Sequence, residues 1–266
     1  MAQRVAPAVG RTFRFISSIG LVEIFLVSVA FIFYYVSRGL VVERTAEATS
    51  RAIQVVELEQ RLGIFLWETK MQAFVASSEI LAHVFNNIYV YAHLPLIGCI
   101  GLWLFFFHRE RYVLLRNAFL ISGGIGLIIF NLFPTAPPRL LPWPLSDQVV
   151  DTMVSFSKVN YDIQPAAFVN RYAAMPSLHF GWNLLLGLGI IWNTKQIWAR
   201  AFGVIMPAVM FLAVVVTGNH FILDVVAGTV VALGGLAIAY LIERHGPRLW
   251  RLILPDRVFQ HLARSD

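Results

Sequence analysis

The sequence predicts an all-α protein that crosses a membrane several times. The residue types Ala, Val, Ile, Leu, Met, Phe, Trp, Tyr and Cys make up 58% of the 266 residues, and charged residues make up 14%, compared with about 25% in soluble domains. Long apolar stretches recur along the chain. This composition excludes a disordered chain and argues against a soluble enzyme. The single cysteine, Cys99, excludes an internal disulfide framework and a cysteine-based metal cluster.

Six apolar stretches are each expected to form a spanning helix, because about 20 apolar residues are needed to cross a bilayer. They are residues 24–37, 80–107, 117–133, 172–194, 201–221 and 225–242. The first stretch reaches sufficient length when Glu23 is included, and it continues to Tyr34 and Tyr35 without a small-residue cleavage site. We therefore expect a retained helix there and not a cleaved signal peptide.

The distribution of Lys and Arg predicts that both termini lie in the cytoplasm. With six spans, one side of the membrane holds 13 of the 21 basic residues, and the other holds eight together with nine acidic residues. Cytoplasmic loops carry the excess of Lys and Arg, so the second side is extracytoplasmic, and the plasma (inner) membrane is the expected location. Topology and anionic lipid head groups account for the net charge of +6, so nucleic acid is not an expected partner.

We expect a single membrane domain with three parts. Residues 1–79 contain the first span and an extracytoplasmic amphipathic helix, residues 80–242 form a catalytic core of five spans, and residues 243–266 form a basic cytoplasmic tail. The amphipathic helix is indicated by apolar residues at helical spacing with charged residues between them. The apolar residues are Val55, Leu58, Leu62, Phe65 and Leu66, and the charged residues are Glu57, Glu59, Arg61 and Glu68. The favoured interpretation is a structural lid, not a catalytic role for these glutamates.

Ionisable groups at membrane depth are costly, so each is a hypothesis for a functional site. Glu23 is interpreted as an interfacial residue near Arg14 and not as a proton relay. The third span ends in residues 134–139, where three prolines stiffen the backbone before Arg139. A guanidinium held there has the planar fork that matches phosphate oxygens.

Two further polar segments lie at span ends on the same side. Ser177 fits the N-cap of the fourth span, where free N–H groups would form an anion site, with His179 in the first turn. Taken alone, His179 is better explained as a core residue. Asn219 is a plausible N-cap of the sixth span, in which His220 and Asp224 share one helix face. A carboxylate beside an imidazole orients the ring and fixes its tautomer.

Together, the three segments direct two helix N-termini, one Arg and two histidines towards a potential anion. One of the histidines has an acidic partner on its own helix. This combination predicts phosphoryl transfer through a phosphohistidine, without a metal or another cofactor.

These segments resemble the signature of the phosphatidic acid phosphatase type 2 superfamily of membrane lipid phosphatases and phosphotransferases. The nearest resemblance is to the inositol-phosphorylceramide synthase-like branch, and it covers roughly residues 85–242. The matching motifs are P-T-A-P-P-R (134–139), A-M-P-S-L-H (174–179) and G-N-H-F-I-L-D (218–224).

The resemblance implies a role for each motif residue. His220 corresponds to the nucleophile that takes the phosphoryl group, and Asp224 corresponds to its orienting carboxylate. His179 corresponds to the general acid that protonates the leaving oxygen and later acts as a base. Ser177 and the adjacent backbone N–H groups correspond to phosphate ligands. Asn219, next to the nucleophile, is also expected to bind the substrate phosphate.

The chain departs from the better-known lipid phosphatases of that superfamily at two places. They carry a Lys seven residues before the Arg of the first motif, where this chain has Leu132, and a Ser-Arg pair before the nucleophile, where it has Ala213 and Val214. The phosphate site therefore has fewer cations. Arg139 is expected to contribute more, and Arg171 is expected to fill the gap. The synthase-like branch also lacks some of these residues.

The expected substrate is a lipid phosphate or a phospholipid that enters sideways from the outer leaflet. Transfer to water makes a phosphatase, and transfer to an alcohol or a lipid acceptor makes a transferase; the fold does not choose between them. Membrane lipids are the other expected partners. Two alternatives stay open: a zinc hydrolase with His179, His220 and Asp224 as ligands, and a transporter with a His/Asp proton path. Polar residues at span ends, and not at the midplane, favour an interfacial enzyme.

Overall fold

The computed structural model describes residues 20–21, 23–30, 32, 44–156 and 171–253, with side chains as far as residue 245. These residues form helices joined by turns and irregular segments, and no strand occurs among them. Arg14, the last part of the first predicted span and residues 254–266 of the predicted tail lie outside the described residues. The all-α prediction is confirmed for the part of the chain that is described.

Between residues 44 and 253, leaving aside residues 157–170, nine α-helices are described. They are α1 (Thr45–Arg61), α2 (Phe65–Ala76), α3 (Glu79–Asn87), α4 (His93–Phe107), α5 (Arg109–Leu132), α6 (Thr152–Phe156), α7 (Leu178–Asn193), α8 (Ile197–Val216) and α9 (Ile222–Ile253). A π-helix, Ile88–Ala92, joins α3 to α4. Two 3-10 helices, Pro138–Leu140 and Leu145–Gln148, lie between α5 and α6.

Four described segments are long and apolar enough to cross a membrane. They are Glu79–Phe107, Arg109–Leu132, Ile197–Val216 and Ile222–His245. They overlap the second, third, fifth and sixth predicted spans, which is consistent with a membrane protein. Six spans in total stays a prediction, because the first predicted span is only partly described.

The fourth predicted span is represented by α7, which is shorter than predicted. It begins at Leu178 and contains 16 residues, so it is about 24 Å long, compared with about 30 Å for the hydrocarbon core. The residues before it are not helical because Thr135 and Ala173 form a parallel bridge between the two irregular segments. The first residues of the predicted span therefore build the site instead of extending the helix.

The region predicted as one amphipathic helix forms two helices, α1 and α2, with a break at residues 62–64. The expected apolar face is wrong in part: Leu58, Leu62 and Leu66 are exposed, whereas Glu59 and Glu68 are buried. Burial of the two glutamates depends on hydrogen-bond donors that α9 supplies. The buried residues of α1 and α2 are Ala48, Ala52, Val55, Val56, Glu59, Phe65, Glu68, Gln72 and Val75.

Close packing of α9 against α7 places the two helix starts side by side. Gly228 of α9 faces Ser177, and a Cβ built on it would lie 2.2 Å from the Ser177 carbonyl oxygen. Only glycine permits this approach. On the other side, α9 packs against α5 around a shared core that includes Ala118, Leu185 and Ala232.

Glu23 lies at the end of the bundle opposite the predicted site. Its carboxylate binds Arg116 at 2.5 Å and Arg109 at 2.9 Å, both at the start of α5. The partners that neutralise Glu23 are therefore on α5, which explains how a carboxylate is tolerated in an apolar helix. These contacts agree with an interfacial ion pair and not with a proton relay.

Candidate active site

Backbone hydrogen bonds bring the three motif segments together. They join Thr135 N to Tyr172 O at 2.9 Å, Ala174 N to Thr135 O at 3.2 Å, Arg139 N to Gly218 O at 2.9 Å and Ser177 N to Asp224 O at 2.9 Å. Gly218 has a φ of 70°, a left-handed conformation that suits glycine and turns the chain between α8 and α9. Residues separated by up to 90 positions in the sequence thus share one site.

The His220 ring is held through one nitrogen and leaves the other without a partner. Its Nδ1 lies 2.8 Å from the Ala174 carbonyl oxygen and 3.6 Å from Asp224 Oδ2. Because a carbonyl can only accept, Nδ1 carries the proton. The ring is 4% exposed, and its Nε2 is buried with no hydrogen-bond partner among the described residues. The Nε2 lone pair is therefore available for chemistry.

Asp224 is held by the backbone through one oxygen, which also lies near the His220 ring. Its Oδ2 accepts a hydrogen bond from the Phe221 N–H at 2.9 Å and lies beyond hydrogen-bond distance of His220 Nδ1. The Ala174 carbonyl, which sequence reasoning did not single out, is the closer partner of the ring. It takes over part of the orienting role predicted for Asp224.

His179 faces His220 across the site. The two ring centroids are 5.9 Å apart, and the His179 ring also stacks on Tyr89 at 4.8 Å. A general acid or base must reach its proton at about 2.6–3.2 Å, so one phosphoryl group placed between the rings is within reach of both. The structure thus brings the two predicted histidines next to each other.

Arg139 is fixed by two side chains. Its Nε donates to Asn219 Oδ1 at 3.0 Å, and its guanidinium forms an ion pair with Asp151 at 3.4 Å. The predicted N-cap role of Asn219 is wrong, because α9 begins at Ile222 and the Asn219 amide holds Arg139 and Thr217 instead. Asn219 and Asp151 therefore orient the guanidinium, and its role in phosphate binding stays a prediction.

Ser177 occupies the N-cap position of α7 without capping it through its side chain. Its side chain is fully buried, and its Oγ has no partner among the described residues. The first N–H groups of a helix have no acceptor within the helix, so the start of α7 keeps the character of an anion site. A buried hydroxyl without a described partner at a helix start fits the phosphate ligand predicted here.

The start of α9, predicted as a second anion site, is already occupied by carboxylates. Glu68 Oε1 accepts the Ile222 N–H and Glu59 Oε1 accepts the Leu223 N–H, both at 2.9 Å. Helix N-termini attract negative charge, and here the protein supplies it. The expectation that two helix N-termini bind the phosphate is therefore wrong for α9, and only the start of α7 stays a candidate among the two.

The sequence profile of the PAP2 superfamily matches residues 53–238, which is most of the chain. This chain belongs to the PAP2 superfamily. A search of curated proteins and a search of solved structures give no match. Because PAP2 superfamily proteins are generally phosphatases, membership indicates an enzyme of phosphatase type. The match begins within α1, so it includes helices that lie before the residues 85–242 on which the resemblance rested.

The two departures from the better-known PAP2 lipid phosphatases have different environments. Leu132 is 72% exposed at the end of α5, and Val214 is buried in an apolar cluster of α8 and α9. Arg171 is exposed, at the edge of the described residues. Its place as a second phosphate-binding cation stays a prediction.

Three residues of this PAP2 protein that contact His179, namely Tyr89, His93 and Asn183, were not singled out by sequence reasoning. Tyr89 stacks on His179 and belongs to the π-helix, and the His93 ring centroid lies 4.5 Å from that of His179. Asn183 Nδ2 donates to the His179 carbonyl at 2.8 Å and contacts His93 Nδ1 at 2.9 Å. The amide nitrogen is fixed by the carbonyl, so His93 Nδ1 accepts. A histidine inside an apolar span was the available signal.

The zinc alternative required His179, His220 and Asp224 to form one ligand set. In the part of the chain that the structure describes, no group of three or more His, Cys, Asp or Glu side chains is placed to hold a metal ion. Asp224 lies on the Nδ1 side of His220, whereas His179 faces that ring from α7. The arrangement of these three side chains does not fit a shared ion.

Proposed function

We propose that this chain is a membrane-embedded, metal-independent phosphatase or phosphotransferase that acts on a lipid phosphate or a phospholipid through a phosphohistidine. The observation that carries the proposal is the buried His220 Nε2, which has no described partner while Nδ1 is held by Ala174 O. A neutral imidazole with its proton fixed on Nδ1 keeps a lone pair on Nε2. A nucleophile needs that lone pair.

In the first step, His220 Nε2 attacks phosphorus, and the bond between phosphorus and the leaving oxygen breaks. Protonated His179 gives its proton to that oxygen, so an alcohol leaves. Arg139 and the first N–H groups of α7 balance the charge on the other phosphoryl oxygens. Asp224 and the Ala174 carbonyl stabilise the proton on Nδ1 as the ring becomes positively charged.

In the second step, the acceptor attacks the phosphohistidine and restores the enzyme. His179, now neutral, takes the proton from the acceptor hydroxyl, and the bond between nitrogen and phosphorus breaks. A general acid or base typically contributes about 10²–10⁴-fold to the rate. With a lipid phosphomonoester as donor, water gives inorganic phosphate and an alcohol gives a new phosphomonoester. With a phospholipid as donor, water gives a phosphomonoester and an alcohol or a second lipid gives a new phosphodiester.

A lipid substrate is supported by where the site lies on the spans. The three motif segments follow the end of α5 and precede the starts of α7 and α9, so a reacting phosphate lies at head-group level. Exposed apolar side chains of the spans, such as Ile128 and Val230, provide surfaces for lipid tails. The distribution of Lys and Arg supports an extracytoplasmic site, cytoplasmic termini and the plasma (inner) membrane. Leu132 and Val214 support the inositol-phosphorylceramide synthase-like branch.

The test is release of inorganic phosphate from a lipid panel by detergent-purified protein in EDTA. The panel contains phosphatidic acid, a polyprenyl phosphate and a polyprenyl diphosphate. We expect turnover that His220→Ala abolishes and that EDTA leaves unchanged. Substrate labelled in its phosphate should leave label on the wild-type protein in an acid-labile, alkali-stable form, as a phosphohistidine requires.

His83→Ala is the matched control, because His83 pairs with Glu79 on α3, outside the site. If no phosphate is released, the same proteins are tested with a phospholipid donor and a hydroxylated acceptor. Near-full activity of His220→Ala in either assay would contradict the mechanism. Activity that EDTA removes and zinc restores would favour the metalloenzyme instead.

A further inference from the structure

Two buried carboxyl groups from outside the membrane spans contact the start of α9, the helix that follows His220. Glu59 lies on α1 and is 0% exposed, and Glu68 lies on α2 and is 4% exposed. Their Oε1 atoms accept the backbone N–H groups of Leu223 and Ile222, each at 2.9 Å. Both acceptors are more than 150 residues away from their donors in the sequence. Two separate helices therefore contact the same helix start.

These two N–H groups belong to the first turn of α9, directly after His220. The first N–H groups of a helix lack partners within the helix, and a carboxylate is a strong acceptor for them. The third carboxylate, Asp224, accepts the Phe221 N–H in the same turn. The direction in which the His220 ring points thus depends on how firmly Glu59 and Glu68 hold this turn.

The second oxygens of the two glutamates indicate how the pair is charged. Glu59 Oε2 and Glu68 Oε2 are both buried and lack a hydrogen-bond partner among the described residues. Because their Oε1 atoms accept the adjacent N–H groups of Ile222 and Leu223, the two carboxyl groups lie side by side. A single shared proton satisfies both oxygens, whereas two buried carboxylates side by side would repel each other.

We propose that Glu59 and Glu68 are positioning residues for the nucleophile, and that they share one proton while they cap α9, the helix that begins two residues after His220. The proposal rests on the proposed role of His220. It assigns a function to α1 and α2 that the lid interpretation did not contain. Because the pair must hold a proton, the geometry of the site depends on pH.

The direction of titration follows from burial and from neighbouring charge. Burial raises the pKa of Glu59, and the Asp224 charge raises it further. Burial raises the pKa of Glu68 well above its usual value, and the Glu59 charge adds to this. The charged neighbours described for this pair are the two glutamates themselves and Asp224. Groups with a raised pKa in the folded state lose their stabilising effect as pH rises through that pKa.

The enzymatic test compares Glu68→Ala with Glu68→Gln in the lipid-phosphate assay at pH 6. Alanine removes the cap, so we expect kcat to fall by about tenfold or more with little change in KM, as for a misplaced catalytic group. Glutamine keeps an oxygen for the Ile222 N–H and an amide N–H for Glu59, so it should recover at least half of the lost kcat. Glu57→Ala, an exposed position on α1, is the control and should match wild type.

A second measurement does not require turnover. Hydrogen–deuterium exchange of the peptide that covers residues 219–226, corrected for intrinsic exchange, reports opening of this helix start. In measurements from pH 6 to pH 9, we expect wild-type protection to fall as the pH rises and protection in Glu68→Gln to stay constant. The two variants are compared in the same detergent.

The outcomes separate the two proposals. The positioning role is overturned if Glu68→Ala keeps wild-type kcat, or if wild type and Glu68→Gln show the same pH dependence of exchange. If no substrate gives turnover that depends on His220, the proposed function fails. The exchange measurement then still decides whether the pair holds its helix through a shared proton.

Discussion

Gly228→Ala is predicted to push α9 away from the start of α7. A Cβ at this position would lie 2.2 Å from Ser177 O, 2.9 Å from Ser177 C and 3.2 Å from Ser177 N. Ordinary contact begins at 3.4 Å, so the two backbones must separate by about 1.2 Å. All three atoms are backbone atoms, so no flexible side chain absorbs the displacement.

The size of the effect follows from that displacement. It would stretch the bond from Ser177 N–H to Asp224 O, now 2.9 Å long, past hydrogen-bond distance. Overpacking costs about 1–3 kcal/mol, and the lost hydrogen bond costs about 1 kcal/mol. A shift of about 1 Å at a catalytic group costs about 10²-fold in rate. We expect kcat/KM to fall about 100-fold in a protein that still folds.

The assay is phosphate release with the best lipid substrate, together with thermal unfolding in detergent. Gly234→Ala is the matched control, because it lies on the same helix and a Cβ there meets nothing within 4 Å. It should keep wild-type activity and gain about 0.5–1 kcal/mol of stability. The reasoning is refuted if Gly228→Ala stays within threefold of wild type, or if Gly234→Ala is equally inactive.

Two further changes test the groups around the histidines. Arg139→Lys loses the planar guanidinium that pairs with Asp151, so kcat/KM should fall about 10–100-fold, equivalent to about 1.5–3 kcal/mol. Initial rates over a range of substrate concentrations measure this change. An unchanged kcat/KM would exclude phosphate binding by the guanidinium. Asn183→Ala removes the donor to the His179 carbonyl, so kcat should fall about tenfold. Asn193→Ala breaks the same type of bond at the other end of α7, and an equal loss there would show that helix stability, and not the site, is responsible.

Helix positions could be predicted because apolar length is a property of the sequence itself. Four of the predicted spans coincide with long apolar helices. Their ends were less accurate: α5 begins at Arg109, eight residues before the predicted start. Charged residues are good helix formers, and Arg109 and Arg116 are neutralised by Glu23, so the helix continues beyond its apolar part.

The proximity of the motif histidines could also be predicted, because topology puts both segments at span ends on one side. Their hydrogen-bond partners could not. The Ala174 carbonyl holds His220, and the Asn219 amide holds Arg139, because irregular segments bring backbone and amide groups to these positions. A hydrophobicity pattern contains no information about such segments.

By itself, the sequence determined that the chain is helical with long apolar spans, and it predicted which side chains carry the chemistry. Only the tertiary structure decided what surrounds them. A charged residue on an amphipathic helix is expected to face water, yet Glu59 and Glu68 are buried. They are buried because α9, more than 150 residues away, directs unsatisfied N–H groups at them. The same contact removes the start of α9 from phosphate binding, since one set of N–H groups cannot serve two anions.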